Sequence, residues 1–350
     1  MSRYYTRACN FYYGTKSKAL VKQKKSLPLN GNSEISFDQL ELISRNSTKI
    51  ISINKLDTLP KVLIKQIKVD LKNIISKKKN FANFNFTKLP NIMGILNVTP
   101  DSFSDGGKFN SKDKGIKKAL QMFKSGANII DIGGESTRPG SKEINTNLEW
   151  KRINNILKLI CKKIPVSLDT RKSIIMKKGI NLGVKVINDV SGLRHDPKTK
   201  DILKSYKIPF VIQHSQGKPE NMQNNPKYKN ELLDIYDFFE KKINFLRSIG
   251  IKHNDIIIDP GIGFGKNLKH NMNLISRISI FHSLGFPILV GNSRKRFIKE
   301  LSGVNDTKNR TGGTVASSLY LMMQGVQILR IHDVNELIQG VKVFKELLKN

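Results

Sequence analysis

Cysteine and long apolar runs are scarce in this 350-residue sequence, and each scarcity excludes a class of protein. The two cysteines, Cys9 and Cys161, are too few for a disulfide framework or a cysteine-bound structural zinc. They are typical of a reducing compartment, and we expect a cytoplasmic location. The chain has no run of about 18 uncharged apolar residues, so no membrane-spanning helix is expected.

Acidic residues are also scarce, at 28 against 61 Lys and Arg, which gives a formal net charge of +33. A charge of this size attracts phosphate polymers. The excess is mostly lysine, 48 Lys against 13 Arg, and it is spread along the chain. Nucleic-acid readers concentrate arginine where bidentate contacts matter. We therefore interpret the charge as surface composition and do not expect nucleic acid to be the main partner.

Residues 1–90 differ in texture from the remainder, with 18 basic and 5 acidic residues. Residues 1–30 contain no acid, which partly matches a transit peptide and leaves organellar import open. The run Ile50–Ile53 suits a short strand, and the apolar spacing predicts an amphipathic helix over Leu59–Lys79. We expect residues 1–90 to form a small accessory subdomain whose role the sequence does not indicate.

From residue 91 onward, short β-branched runs alternate with stretches of helical spacing. Eight such runs recur, as expected of parallel strands buried on both faces: 92–98, 129–133, 165–169, 184–188, 210–214, 256–260, 288–292 and 328–332. Eight βα units over residues 91–350 match the size of a (β/α)₈ (TIM) barrel. An open doubly wound sheet is the competing α/β architecture, but no G-x-G-x-x-G follows the first run to favour it.

The carboxyl-terminal ends of these runs carry polar residues. A strand-end aspartate taken singly is usually a helix cap or a turn residue. In a barrel, however, all eight strand ends converge on one rim, where active sites are built. We therefore expect a site formed by the strand-end set Asn97, Asp131, Asp169, Asn188, His214, Asp259, Ser293 with Lys295, and Arg330 with His332.

The chemistry of this set suits a flat heterocycle bearing a phosphate group. Asp169, Asn188 and Asp259 combine acceptors and donors that can read the edge of a ring. Lys295 suits a ring carbonyl, and the Arg330 guanidinium suits stacking on a ring face. The glycine-rich segment 133–140 offers backbone N–H groups, a hydroxyl and a guanidinium to phosphate oxygens.

Two long motifs and several short ones resemble those of the dihydropteroate synthase family. Residues 93–107 (MGILNVTPDSFSDGG) resemble its first signature, and residues 131–140 (DIGGESTRPG) its second. The short motifs follow in the family's order: SLDT at 167–170, INDVSG at 187–192, DPGIGFGK at 259–266, GNSRK at 291–295 and RIHDV at 330–334. The resemblance covers residues 91–345.

This resemblance implies a reaction, a metal and a set of residue roles. A pterin-binding enzyme of this family would condense p-aminobenzoate with (7,8-dihydropterin-6-yl)methyl diphosphate. The reaction would yield 7,8-dihydropteroate for folate biosynthesis and release diphosphate. It implies Mg²⁺ as cofactor and a homodimer as the assembly. The implied roles are metal binding by Asn97; diphosphate binding by Thr137, Arg138, Arg330 and His332; pterin binding by Asp169, Asn188, Asp259 and Lys295; a p-aminobenzoate pocket from Phe103, Pro139 and Arg296; and catalytic contributions from Asp101 and Arg138.

The sequence departs from the family pattern around His214, where members often have methionine on both sides. Here Gln213 and Ser215 take those places, which puts an apolar contact to the pterin in doubt. We expect His214 itself to be structural. A barrel of the same fold that binds methyltetrahydrofolate for methyl transfer is the alternative, but methyl transfer has no use for groups that bind diphosphate.

Overall fold

The computed structural model describes residues 3–99, 111–136, 140–217, 222–223 and 225–349, and the chain begins with an antiparallel sheet. The long strand β3 pairs with β1, β2 and β4. Two helices accompany this sheet, and the predicted strand and amphipathic helix of this region correspond to β4 and α2. The elements are β1 (Tyr5–Tyr13), α1 (Gly14–Lys22), β2 (Leu27–Leu29), β3 (Asn32–Ile43), β4 (Thr48–Ser52), a 3-10 helix (Ile53–Thr58) and α2 (Lys61–Ile75).

The N-terminal sheet has its own small core, because apolar residues alternate along β3. Phe37, Leu40 and Leu42 are buried there against Ile67 and Ile74 of α2. These two isoleucines are seven residues apart, so they lie on one face of the helix. The exposed valines of α2 face away from this core.

Eight parallel strands follow, in the positions predicted for a (β/α)₈ barrel. Their order in the sheet is β10-β9-β8-β7-β6-β5-β12-β11, and a bridge between Ile258 and Ile288 joins the two ends. The strands are β5 (Asn91–Asn97), β6 (Ile129–Gly133), β7 (Val166–Asp169), β8 (Val186–Asp189), β9 (Phe210–Gln213), β10 (Ile256–Asp259), β11 (Leu289–Val290) and β12 (Ile328–Ile331). The doubly wound alternative is therefore excluded.

Helices connect the strands and cover the outside of the barrel. They are α3 (Ser111–Lys124), α4 (Thr146–Ile160), α5 (Ser173–Asn181), α6 (Thr199–Tyr206), α7 (Glu231–Ser248), α8 (Leu268–Ser276), α9 (Arg296–Ser302), α10 (Thr311–Met323) and α11 (Val334–Leu347), with 3-10 turns at His253–Asp255, Ile278–Leu284 and Thr307–Asn309. In the described part of the chain, no helix is long and apolar enough to cross a membrane.

The N-terminal sheet is attached to the barrel through helix α7. Arg45 forms ion pairs of 2.8 Å with both Asp234 and Asp237, and the Tyr5 hydroxyl donates to Asp237 at 2.8 Å. The Arg3 guanidinium lies 2.6 Å from Glu240. Because these acids recur at three-residue spacing, they form one acidic stripe on α7 that matches the basic edge of the sheet.

The amino-terminal end of the barrel is closed by aromatic side chains. Alternate residues of the strands point inward and form an apolar layer: Met93, Ile129, Val186, Val211, Ile257, Leu289 and Ile328. Phe84 and Phe86, from the segment that precedes β5, are 2% and 1% exposed and pack against this layer. The interior below the strand ends is therefore a packed floor rather than a channel.

This packing predicts that Phe84→Ala destabilises the protein by about 3–5 kcal/mol, because truncating a buried phenylalanine removes apolar contacts and leaves a cavity. Phe245→Ala, at a side chain 43% exposed on α7, is the matched control and should cost less than about 1 kcal/mol. Urea unfolding measures both values. Equal losses would show that the aromatic floor does not stabilise the barrel.

Candidate active site

The polar residues of the strand ends lie one layer above the apolar floor. Asp131, Asn188, Gln213 and Asp259 each follow an inward-facing apolar residue of that floor by two positions, so strand alternation directs their side chains into the barrel mouth. Asp131 follows Ile129, for example, and Asn188 follows Val186. The buried members of this polar layer are Asp131, Ser167, Asn188, Gln213 and Asp259. Strand period therefore gathers the predicted residues at one place.

Arg330 joins two acids across this layer. Its Nε lies 2.6 Å from Asp131 Oδ2, and its Nη2 lies 2.7 Å from Asp169 Oδ2. The amide of Asn188 donates to the same Asp131 oxygen at 3.0 Å. Gly133 leaves room for this arrangement, since a Cβ there would lie 3.3 Å from the Cβ of Asp169. Three predicted residues, Asp169, Asn188 and Arg330, are thus connected through Asp131.

The cluster contains two acids and one guanidinium, so ionisation of both acids would leave one excess negative charge. Burial raises the pKa of Asp169; Arg330 opposes this rise, and the nearby charge of Asp131 adds to it. Several buried atoms of the layer have no protein partner in the described residues: Asp131 Oδ1, Ser167 Oγ, Asn188 Oδ1 and Gln213 Nε2. Buried polar groups are normally hydrogen-bonded, so this layer is suited to receiving a polar ligand.

Asp259 lies at the base of a glycine-rich turn. Its Oδ1 accepts a hydrogen bond of 2.8 Å from Gly261 N, and burial raises its pKa to about 6. Gly261 has φ +69°, and a Cβ at this position would lie 1.9 Å from the carbonyl oxygen of His214. Only glycine therefore allows the turn to pass so close to β9.

Lys266 holds the same turn from inside. Its Nζ donates to the carbonyls of Gly261 and Phe264, both at 2.9 Å, and lies 3.1 Å from His214 Nδ1. Burial lowers the pKa of Lys266 to about 7 and also lowers the pKa of His214 well below its ordinary value. A neutral His214 accepts from the ammonium, which agrees with the structural role expected for this histidine. Sequence reasoning did not assign a role to Lys266, although it ends the DPGIGFGK motif.

Lys295 lies at the wall of a cavity of about 450 Å³ that opens from the barrel mouth. Its ammonium is 4.0 Å from the centre of the Phe264 ring, a cation–π contact that directs the side chain over the turn. Among the predicted residues, those that line the cavity are Asn97, Ser293, Lys295, Arg296, Arg330 and His332. Arg296 lies at its rim, 69% exposed and 2.6 Å from Glu300.

The turn that carries Lys295 is held by charged residues that sequence reasoning did not single out. Arg294 has φ +58° and forms an ion pair with Asp333, while its carbonyl accepts from Arg310 at 3.0 Å. The Ser293 hydroxyl lies 3.0 Å from His332 Nδ1 and accepts from the backbone N–H of His332 at 3.1 Å. These contacts tie the end of β11 to the end of β12.

A second buried network supports the glycine-rich segment after β6. Glu135 accepts from Arg171 at 2.9 Å and from the N–H of Ile144 at 2.9 Å. Lys172 lies between Glu135 and Glu149, at 3.2 and 2.7 Å. Burial opposes ionisation of Glu135, but the hydrogen bonds from Arg171 and Ile144 and the charges of Arg171 and Lys172 together outweigh it and hold the Glu135 pKa below its ordinary value. The sequence did not predict these ion pairs, because the spacing of the charged residues along the chain does not indicate that they meet.

Five predicted residues lie outside the described part of the chain. They are Asp101, Phe103, Thr137, Arg138 and Pro139. Their assignments therefore stay predictions. In the described residues, no group of three or more His, Cys, Asp or Glu side chains is arranged to hold a metal ion.

The residues around His214 confirm that the departure from the family pattern changes the local chemistry. Gln213 is 3% exposed in the polar layer. Ser215 is held by Arg194, whose Nη2 donates to its carbonyl at 2.7 Å and to its hydroxyl at 2.6 Å. An amide and a guanidinium-bound hydroxyl thus stand where apolar thioethers are usual.

Comparison with known proteins identifies relatives of this barrel. The family described as "Pterin binding enzyme" matches residues 93–332. The dihydropteroate synthase of Escherichia coli (strain K12) is 39% identical over 261 residues, which are 74% of this chain and 92% of that protein. The structure of Yersinia pestis dihydropteroate synthase with a sulfonamide drug complex is 38% identical with a TM-score of 0.71, and covers 76% of this chain and 96% of the other. The Xanthomonas albilineans dihydropteroate synthase in complex with 7,8-dihydropteroate is 31% identical with a TM-score of 0.68, and covers 75% and 95%.

The raised pKa of Asp259 predicts that Asp259→Asn stabilises the unliganded protein. The charged carboxylate penalises folding above pH 6, and the step in pKa from 3.8 to about 6 corresponds to about 3 kcal/mol. Asparagine keeps the acceptor for Gly261 but carries no charge. Urea unfolding should show a gain of up to about 3 kcal/mol at pH 8, roughly half as much at about pH 5, and little below the unfolded value.

Asp201→Asn, at an exposed position of α6, is the control and should change stability little at either pH. A variant at Asp259 that is less stable than the parent at pH 8 would contradict the assignment of a buried, penalised carboxylate.

Proposed function

The chain belongs to the dihydropteroate synthases among the pterin-binding enzymes, and we propose that the polar layer at its barrel mouth carries the reaction of that family. The reaction joins p-aminobenzoate to (7,8-dihydropterin-6-yl)methyl diphosphate, releases diphosphate and forms 7,8-dihydropteroate for folate biosynthesis. The observation that supports the proposal most strongly is the buried set Asp169, Asn188 and Asp259, together with Arg330, which lines the cavity and forms an ion pair with Asp169. The methyl-transfer alternative is not favoured, because the relatives described above are synthases.

The buried acids bind the pterin. A pterin presents N–H groups on its pyrimidine edge, and a carboxylate accepts from two of them at once. Burial favours the neutral acid, so Asp169 and Asp259 need nearby cations to stay ionised. Arg330 lies beside Asp169, and the charges of Lys295 and Arg330 both lower the pKa of Asp259. The cations of the mouth therefore oppose the effect of burial and favour the ionised form of both acids.

The chemical step exchanges one bond for another at the pterin methylene. The p-aminobenzoate nitrogen forms the new C–N bond with its lone pair and releases one proton, while the C–O bond to diphosphate breaks and its electrons leave with the diphosphate. The barrier falls when developing negative charge on the leaving group meets fixed cations. We assign that role to Arg138, Thr137 and His332, and we assign Asp101 to stabilisation of the methylene. The p-aminobenzoate ring is assigned to a pocket of Phe103, Pro139 and Arg296.

Mg²⁺ is the proposed cofactor, with Asn97 as its protein ligand. Asn97 ends β5 and lines the same cavity as His332, which supports the assignment of its amide oxygen to a metal that also contacts the diphosphate. Magnesium commonly takes one or two protein oxygens together with waters and substrate phosphates. A single amide oxygen without a carboxylate cluster fits that pattern. When bound, the ion would neutralise charge on the diphosphate.

A homodimer in the cytoplasm is the proposed state of the protein. Large apolar side chains are exposed on two neighbouring helices: Tyr320 of α10 is 45% exposed, and Val343 and Leu347 of α11 are 64% and 66% exposed. Both cysteines are free, as suits a reducing compartment.

Sedimentation velocity should give the mass of a dimer, and a monomer at all concentrations would contradict this assembly.

The activity test follows directly from the assigned roles. Purified protein with the pterin diphosphate, p-aminobenzoate and Mg²⁺ should form 7,8-dihydropteroate, detected by chromatography. Asp169→Ala should abolish pterin binding measured by calorimetry, because the pterin loses a buried charged acceptor. Asn97→Ala should keep pterin binding but require a higher Mg²⁺ concentration for diphosphate binding.

Asp113→Ala, at an exposed position in the first turn of α3, is the control and should retain activity. A folded parent protein that forms no product under these conditions would refute the proposed function. An Asn97 variant with an unchanged Mg²⁺ requirement would refute only the metal assignment.

A further inference from the structure

A second cavity lies at the opposite end of the barrel from the polar layer. It has a volume of about 150 Å³ and is bounded by the end of α2, the segment that follows it, and the loops that enter β10 and β11. These loops precede their strands, so the cavity belongs to the amino-terminal end of the barrel. Its polar lining includes Lys77, Lys78, Lys79, His253 and Asn254. Its walls thus come from both the N-terminal region and the barrel.

Lys78 is a buried ammonium at this cavity. The residue is 7% exposed, and its Nζ donates one hydrogen bond, of 2.9 Å, to the carbonyl of Asn73. Within the described ranges, no carboxylate lies at ion-pair distance from Lys78, Lys77 or Lys79. An ammonium has three N–H donors, and buried charges are normally paired. Burial alone accounts for the lowered Lys78 pKa, which falls to about 8.

Two of the groups around Lys78, the neighbouring lysines, add positive charge to the cavity. Lys77 and Lys79 are exposed at the margin of the cavity. His253 Nε2 lies 3.2 Å from the carbonyl of Gly285; burial lowers the His253 pKa, and the charge of Lys78 lowers it further. Asp255, which follows Asn254 in the chain, interacts electrostatically with Lys252 and Lys79. The cavity therefore has cationic and amide donors without a paired anion.

We infer that this cavity binds a small phosphate-class oxyanion, with Lys78 as its buried counter-ion and Lys77 and Lys79 as rim contacts. The volume suits a single tetrahedral anion, whereas the base and sugar of a nucleotide would lie outside it. The bound anion would contact the end of α2 and the barrel loops together. Its binding therefore stabilises the attachment of the N-terminal region, by the linkage between ligand binding and folding.

A simpler role for Lys78 is to cap α2, since a cation near the last turn of a helix interacts favourably with its carbonyls. Capping alone predicts that Lys78 stabilises the protein equally with and without an anion. Anion binding predicts a stabilisation that depends on anion concentration and disappears with Lys78. The two roles are therefore separable by measurement on the full chain.

Thermal unfolding with increasing inorganic phosphate, at constant ionic strength, is the first test. The parent protein and Lys72→Met, an exposed lysine of α2, should show the same rise in Tm of a few degrees. Lys78→Met should lose most of that rise, while any contribution from phosphate at the barrel mouth remains. An unchanged phosphate response in the Lys78 variant, or no response in the parent, would overturn the inference.

Calorimetry provides a second test, which distinguishes anion binding from a role of Lys78 as a helix cap only. Sulfate is the probe, because it does not titrate near neutral pH, and the titration is run in two buffers of different ionisation enthalpy. At about pH 9 the parent should take up nearly one proton for each sulfate bound at this site, because the anion restores the charge of Lys78. At about pH 6.5 no uptake is expected.

Lys78→Arg should bind sulfate without proton uptake at either pH, since a guanidinium stays charged. If Lys78→Met does not fold, the double variant Lys77→Gln/Lys79→Gln keeps the buried ammonium and should bind sulfate several-fold more weakly than the parent. Sulfate binding without proton uptake in the parent at the higher pH, or an unchanged affinity in the double variant, would refute the site.

Discussion

The pairing of Arg330 with Asp131 and Asp169 is the interaction on which the barrel mouth depends. These residues belong to β12, β6 and β7, so the ion pairs cross the mouth between the last strand and two early ones. A buried carboxylate without such a partner would be protonated and would lose its value as an acceptor. The guanidinium thereby couples closure of the barrel to the ionisation of the residue assigned to the pterin. The same cation requires the neighbouring glycine, Gly133, whose lack of a side chain lets Asp169 approach.

The charge of the chain has three separate locations with different consequences. Most lysines are exposed, and they account for most of the large net charge. A few cations, such as Arg330 and Lys266, are buried at the mouth beside acids or carbonyls. Lys78 is buried at the other end beside a single carbonyl and no acid in the described residues. A lysine therefore indicates a ligand site when it is buried without an acidic partner, whatever the total charge of the chain.

Much of the fold and part of the site follow from local patterns in the sequence. The β-branched runs identify the eight strands, and strand alternation directs Asp131, Asn188 and Asp259 into the mouth. The ion pair between Arg330 and Asp131 could not be predicted in the same way, because these residues are far apart in sequence and meet only when the barrel closes. The burial of Lys266 and Lys78 could not be predicted either, because lysine is normally exposed and neither residue is part of a periodic apolar pattern. The network of Glu135 with Lys172 is a tertiary contact of the same kind.

In the proposed complex, the buried acids of the mouth hold the pterin, and Arg330 favours their ionised form. A crystal structure of the chain with 7,8-dihydropteroate tests this claim most directly. It should place the pterin ring within hydrogen-bond distance of the Asp169 and Asp259 carboxylates and the Asn188 amide, with the Arg330 guanidinium against the ring or against Asp169. A pterin bound elsewhere on the chain, or one that contacts neither carboxylate, would contradict the account.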